Sequence, residues 1–207
     1  MLLHLARHAE TVYNAGARMQ GDMAPTPLTR AGIAQAEAMG AALATHFGPG
    51  ADIDIWVSPA GRTLQTVAIV AEHLGCDFFD IRTDSRLLEI DVGRWEGRRY
   101  ADIVAEQGPI ICPDARAFNV MPPGGEYYPA IAARLQAWLA ELDPGRVALV
   151  ISHGITLRVL RGLLAGGRTF EGVTLADDAP QGTVFRFEDG IRTALHVGTG
   201  RAGARGV

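Results

Sequence analysis

Cysteine is scarce in this chain. Only Cys76 and Cys112 occur among 207 residues. They form no C-x-x-C pair and are too few for a disulfide framework, so both read as inert thiols. Long apolar runs are missing as well; none approaches the ~20 residues that a membrane-spanning helix needs. The opening Met1-Leu2-Leu3-His4-Leu5-Ala6-Arg7-His8 lacks the basic start and the apolar length of a signal peptide. The expectation is a mature cytoplasmic chain with no membrane contact. Basic excess is absent too. A formal net charge of −4 argues against a nucleic-acid partner. It leaves room for a small cationic pocket inside an acidic protein.

Repeats, low-complexity blocks and linkers are also lacking. The 25 glycines fall without the three-residue period of collagen. Hydrophobic residues make up 48% and charged residues 20%, a balance that excludes a disordered chain. At about 100–200 residues per domain, the expectation is a single domain over 1–207. A domain of this size buries roughly 70% of its unfolded surface and needs no metal or disulfide staple.

What is present alternates strand with helix. That order predicts an α/β fold, a three-layer α/β/α sandwich around a mostly parallel sheet. Leu2–Ala6 reads as a strand. Leu28–Phe47 reads as a helix capped by Thr29, with Ile33, Ala36, Gly40, Leu43 and Phe47 on its apolar stripe. After a strand at Ile53–Val57, Ser58-Pro59 reads as the cap and first position of a helix. Its stripe is Leu64, Val67, Ala68, Ala71 and Leu74. A further helix is expected over Glu126–Leu142. Val147–Ile151 is a continuous apolar run, the mark of a strand buried on both faces. Thr183–Phe187 and Ile191–Val197 alternate around Asp189-Gly190 as a hairpin would. The stretch 91–125 reads as irregular, a lid or substrate-selecting segment. The end, 199–207, reads as a frayed tail.

Ligands of open α/β sheets bind beyond the carboxyl ends of the strands. Three strands here end in polar groups: Arg7-His8, Ser58-Pro59 with Arg62 one turn on, and Ser152-His153-Gly154. If these strands are parallel, two histidines and two arginines share a rim with helix N-termini. Arg62 lies opposite its helix's apolar stripe, free to reach a ligand. Such a rim is an anion pocket, and phosphate fits it. A neutral imidazole there is a competent nucleophile toward phosphorus. The departing alcohol needs an acid, and Glu89 is the best placed. His4 and His8 share strand parity but stand about 13 Å apart at ~3.3 Å per residue, too far for a metal pair. Trp56, Trp95 and Trp138 read as packing residues. Cys112 and Arg116 are too closely spaced for a cysteine phosphatase loop. Asp52 and Asp54 sit at the wrong end of their strand for an aspartyl nucleophile. No Gly-rich loop ends in Lys-Ser or Lys-Thr.

Taken together, the motifs resemble the histidine phosphatase, or phosphoglycerate mutase-like, superfamily. The resemblance rests on Arg7-His8-Ala9-Glu10-Thr11 with Asn14, Gln20-Gly21, Pro27-Leu28-Thr29 and Ser58-Pro59 with Arg62. It continues through Leu88-Glu89, Trp95-Glu96-Gly97, Pro123-Gly124-Gly125-Glu126 and Ser152-His153-Gly154. It implies that His8 becomes phosphohistidine and that Arg7, Arg62 and His153 hold the phosphoryl oxygens without a metal or other cofactor. It further implies that Asn14 donates to the phosphate, that Glu89 is general acid and base, and that Gln20, Gly21 and Gly154 line the pocket. The chain departs from the family pattern at Ala9, where a Gly is frequent, at Thr26 and at Gln181. The expected activity is a phosphomonoesterase acting on a small phosphorylated metabolite. A cofactor-dependent phosphoglycerate mutase and a non-catalytic phospholigand-binding protein are the alternatives. The mutases carry a longer basic segment after the acid; here that stretch holds Arg98, Arg99 and Arg116.

Overall fold

The Val147–Ile151 run becomes the middle of a sheet, and everything that positions the polar residues follows from where it sits. The computed structural model describes residues 2–23 and 26–200. Its strands are β1 (Leu2–Arg7), β2 (Asp54–Val57), β3 (Arg82–Thr83), β4 (Ile111–Cys112), β5 (Ala117–Phe118), β6 (Val147–Ser152), β7 (Arg168–Phe170), β8 (Val173–Leu175), β9 (Val184–Glu188) and β10 (Ile191–His196). Its α-helices are α1 (Val12–Ala15), α2 (Arg30–Phe47), α3 (Gly61–Leu74), α4 (Tyr100–Gln107), α5 (Tyr128–Leu139) and α6 (Gly154–Ala165).

Six strands form the main sheet in the order β10-β9-β1-β6-β2-β3. β1, β6, β2 and β3 run parallel, while β9 and β10 add an antiparallel edge. The β9–β10 turn uses Asp189 and Gly190 at φ 50° and 78°, the left-handed pair that a two-residue hairpin turn requires. Strand alternation then sorts the core. Leu3 and Leu5 of β1, with Ala148 and Val150 of β6, face Leu135, Trp138, Leu157 and Leu160 of α5 and α6. Ala6, Leu149 and Ile151 face Met39, Leu43, Val67, Val70 and Leu74 of α2 and α3. The result is the expected three-layer α/β/α sandwich. Trp95 and Trp138 are fully buried, and Trp56 lies half-buried against Trp138.

Several boundaries differ from the sequence reading, each for a local reason. α2 starts at Arg30, two residues late, because Leu28 bridges to Thr11 and its N–H goes to the Gln65 side chain. Thr29 caps the helix as expected, accepting from the Gly32 N–H at 2.9 Å. α3 starts at Gly61 with Ala60 as its cap, not at Ser58. The Ser58 hydroxyl is turned instead to His153, 2.7 Å away. α5 runs from Tyr128 to Leu139 with Pro129 in its first turn, the one helical place where a missing N–H costs nothing. Glu126 stands outside that helix and pairs with Arg134 at 2.8 and 3.0 Å. The 91–125 stretch is not irregular throughout, since it holds α4 and the β4–β5 pair. Of the expected tail, residues from 201 onward lie outside the described residues.

His4 shares the α2 face of the sheet with Ala6. It is fully buried, edge-on to Phe47, with its Nε2 3.0 Å from His46 Nε2. Burial, and then the neighbouring His46, lower its pKa to about 4. The unfolded chain therefore takes up this proton near pH 6.5, while the native protein resists it until about 4. Stability should fall as pH drops through that window, by about 1.4 kcal/mol per pH unit per such group at most. Urea midpoints measured at pH 7 and pH 5 should diverge less in His4→Leu than in the native chain; equal divergence would remove His4 as the cause.

Candidate active site

Because β6 lies between β1 and β2, their carboxyl ends emerge side by side. Arg7 pairs in register with Ser152, and Val57 with Ile151. The His8 N–H continues the ladder to the Ser152 carbonyl at 3.0 Å. The two histidine rings stand 5.2 Å apart, tilted by 63°. A cavity of about 110 Å³ opens on this rim. Arg7, His8, Asn14, Gln20, Gly21, Arg62, Glu89 and Gly154 all line it.

His8 is buried, and its Nδ1–H donates to the Ala9 carbonyl at 2.7 Å. That bond fixes the tautomer and leaves the Nε2 lone pair unclaimed. Burial, followed by the charges of Arg62 and Arg7, holds the imidazole well below its usual pKa, so it is neutral at pH 7. Ala9 is not among the positive-φ residues, so an alanine stands there, where the family often has Gly, without backbone strain.

Every cation here is a guanidinium, since the 19 basic residues of the chain include no lysine. Arg62 is fully buried and not free, which corrects the sequence reading. Its Nε donates to His153 Nδ1 at 3.1 Å. Its Nη1 reaches the Met23 carbonyl at 2.9 Å and Thr26 Oγ1 at 3.0 Å, and its Nη2 reaches the Gly21 carbonyl at 2.6 Å. Thr26 thus supplies an acceptor without a charge. Burial pulls the Arg62 pKa down to about 10, partly offset by Glu89 and Asp22, so the charge persists at neutral pH. Gly21 holds its carbonyl in place from φ +55°, and an added Cβ would fall 2.7 Å from Val92 Cγ2. Arg7 donates to the Ala179 carbonyl and lies 3.5 Å from Asp178 Oδ1. Gly154 leaves the space that Arg7 occupies, since a Cβ there would sit 3.2 Å from Arg7 Nη2.

His153 is brought beside His8 but does not line the cavity. Its Nδ1 accepts from Arg62, so Nε2 carries the proton and donates to Ser58 Oγ at 2.7 Å. Burial and the Arg62 charge keep this ring neutral as well. Asn14 Oδ1 accepts from the Thr11 N–H at 3.1 Å and Gln20 Oε1 from the Thr11 hydroxyl at 2.7 Å, which leaves their amide N–H groups as donors. Glu89 sits on the N-terminus of α6. Its Oε1 accepts from the N–H groups of Ile90 and Thr156 and from the Thr156 hydroxyl, and its Oε2 from the Ile155 N–H alone. The helix end favours a negative group there, and Oε2 keeps a lone pair to spare.

Sequence reasoning missed Tyr13, Tyr100, Arg18, Arg158 and Asp178 as cavity residues. Arg158 had a readable signal, being four residues beyond Gly154 and hence on the same helix face. Its buried guanidinium donates to the carbonyls of Ala115, Arg116 and Ala176, which clasps the segment after β4 to α6. Of Arg98, Arg99 and Arg116, the basic residues of the stretch that is longer in mutases, only Arg116 lines the cavity. Arg98 pairs with Glu106, and Arg99 is the exposed N-cap of α4. Asp52 and Asp54 pair with Arg146 at the far end of β2. Among the described residues no group of three or more His, Cys, Asp or Glu gathers as a metal site would, and no helix is long and apolar enough to cross a membrane.

Comparison with known proteins agrees with this geometry. A probable phosphoglycerate mutase of Salmonella paratyphi C is 36% identical over 173 residues, covering 79% of this chain and 74% of its own. The structure of a mycobacterial glucosyl-3-phosphoglycerate phosphatase with VO3 matches with a TM-score of 0.74 at 25% identity, over 97% of this chain and 99% of that one. A putative alpha-ribazole-5'-P phosphatase from Escherichia coli matches with a TM-score of 0.71 at 27% identity, over 100% and 98%. The model of the histidine phosphatase superfamily, branch 1, matches residues 3–197, and the chain belongs to that family.

Proposed function

We propose that this protein is a phosphomonoesterase that hydrolyses a small phosphorylated metabolite through a phosphohistidine at His8. One observation carries the reading. The His8 Nδ1–H is tied to the Ala9 carbonyl, which leaves a neutral Nε2 in a cavity walled by Arg7 and Arg62. Nε2 attacks phosphorus as the ester P–O bond breaks. The leaving oxygen takes a proton from Glu89, whose Oε2 is the less committed oxygen. Water then attacks the phosphohistidine, Glu89 takes back a proton, and inorganic phosphate leaves. Arg7 and Arg62, with the amides of Asn14 and Gln20, meet the charge on the transferring oxygens. His153 serves the same charge through Arg62, which it orients. No step calls on a metal ion or an organic cofactor. The free thiols of Cys76 and Cys112 suit a reducing compartment such as the cytoplasm. The 91–125 stretch supplies Val92, Tyr100, Ile111, Arg116, Ala117 and Phe118 to the cavity wall, so it selects the substrate.

A mutase is the second reading, favoured by the names of the curated relatives. A mutase must keep water from the phosphoenzyme. Here Arg98 is paired with Glu106, Arg99 is exposed at the start of α4, and neither lines the cavity. With 3-phosphoglycerate and bisphosphoglycerate supplied together, phosphate release should outpace isomerisation; the reverse ratio would make the chain a mutase.

Turnover of p-nitrophenyl phosphate in EDTA should vanish in His8→Ala, and rapid acid quench of the native enzyme should trap an acid-labile phosphoryl group. Equal rates in the two proteins would refute the nucleophile. The depressed pKa of His8 has its own consequence. An ordinary imidazole loses about tenfold of its neutral form between pH 7.5 and 5.5. Single-turnover phosphoenzyme formation should fall less than threefold over that range; a tenfold fall would mean that His8 titrates normally.

A further inference from the structure

The cavity wall is made of two chemically different sets of residues. One is polar and holds His8, Arg7, Arg62, Asn14 and Gln20, the groups assigned above to the phosphoryl group. The other is apolar, with Met19, Ile90, Val92, Ile111, Phe118 and Ile155, which come from separate segments of the chain. Polar residues do stand among them, but their hydrogen-bonding groups are engaged elsewhere. Glu89 is held by the amides of α6, and Arg158 by three backbone carbonyls. Asp178 Oδ1 accepts from the Ala179 N–H at 2.8 Å and faces Arg7. The unpaired oxygens Asp178 Oδ2 and Gln181 Oε1 are buried beneath the surface rather than presented on it. What remains is the phenol groups of Tyr13 and Tyr100, and the exposed guanidiniums of Arg18 and Arg116 at the rim.

A leaving group rich in hydroxyls would be stripped of water here with few partners to replace it, and each unmet group is a loss. An apolar body would gain by the same transfer. Resting on the phosphatase reading above, we infer that the enzyme takes phosphomonoesters whose leaving group is hydrocarbon or aromatic in the atoms next to the ester oxygen. Sugar phosphates and glycerate phosphates are then poor substrates. The two rim arginines stand outside the apolar band and could hold a distant acidic group only after that band has been filled.

The test compares kcat/KM for 2-phenylethyl phosphate, glycerol 1-phosphate and 3-phosphoglycerate, all esters of primary alcohols and so close in intrinsic reactivity. The phenylethyl ester should lead both others by about tenfold or more. Phosphate release that is equal across the three, or fastest from glycerol 1-phosphate, overturns the inference while leaving the hydrolase standing. A lead for 3-phosphoglycerate also overturns it, and gives the choice of substrate to Arg18 and Arg116. No release from any of the three, nor from p-nitrophenyl phosphate, fails the hydrolase reading and this one together. Ile111→Ser should shrink the phenylethyl-to-glycerol ratio at least threefold. Ile155→Thr, at a half-buried position of α6, repeats the measurement should the first variant not fold. An unchanged ratio in the folded variant means that the apolar wall does not choose the substrate.

Discussion

The buried guanidinium of Arg62 is the constraint on which the rest of the site depends. A charge taken out of water must be met by fixed partners. Here those partners are two carbonyls and a hydroxyl from the 21–26 region and the ring of His153. One side chain therefore fixes the loop after β1, the second histidine at the end of β6 and the first turn of α3. Burial, and after it the charge of Arg62, keeps both imidazoles neutral. On the proposed function, the same buried charge that is costly in the resting protein is available without reorganisation to a phosphoryl group.

The N-terminus of α6 organises the opposite wall. It holds Glu89 by two of its amides and leaves room for Arg7 by having no side chain at Gly154. One turn later, Arg158 reaches three carbonyls and pins the segment that carries Arg116. Glu89, Arg7 and the outer wall are thus set by one rigid element. That is the arrangement transfer chemistry needs, because small misplacements of reacting groups cost rate steeply.

Hydrogen-bond satisfaction also gives the cavity its character. Counting residue types alone, four lining arginines beyond Arg7 would make it a polar, cationic hole. Counting free donors, Arg62 and Arg158 are spent largely on backbone carbonyls of the protein, and Arg18 and Arg116 stay exposed.

The sequence by itself determined the layer order, the parallel core and the gathering of Arg7, His8, Ser58 and His153 at one rim, because those follow from periodicity and from polar groups placed directly after buried strands. Leu3 and Leu5 against His4 and Ala6 could be sorted by parity alone. Three features were open to tertiary structure only. Ser58 reads locally as a helix cap, yet His153, 95 positions away in the chain, claims its hydroxyl. Arg62 reads as a free side chain on the polar face of α3, yet Gly21, Met23 and Thr26 take its donors. Tyr13 and Tyr100 carry no motif, and only the folding of separate segments onto one rim makes them neighbours. Periodicity reports which face a residue occupies; it holds no information on which distant group will compete for its hydrogen bonds, and in this protein that competition decided the shape of the site.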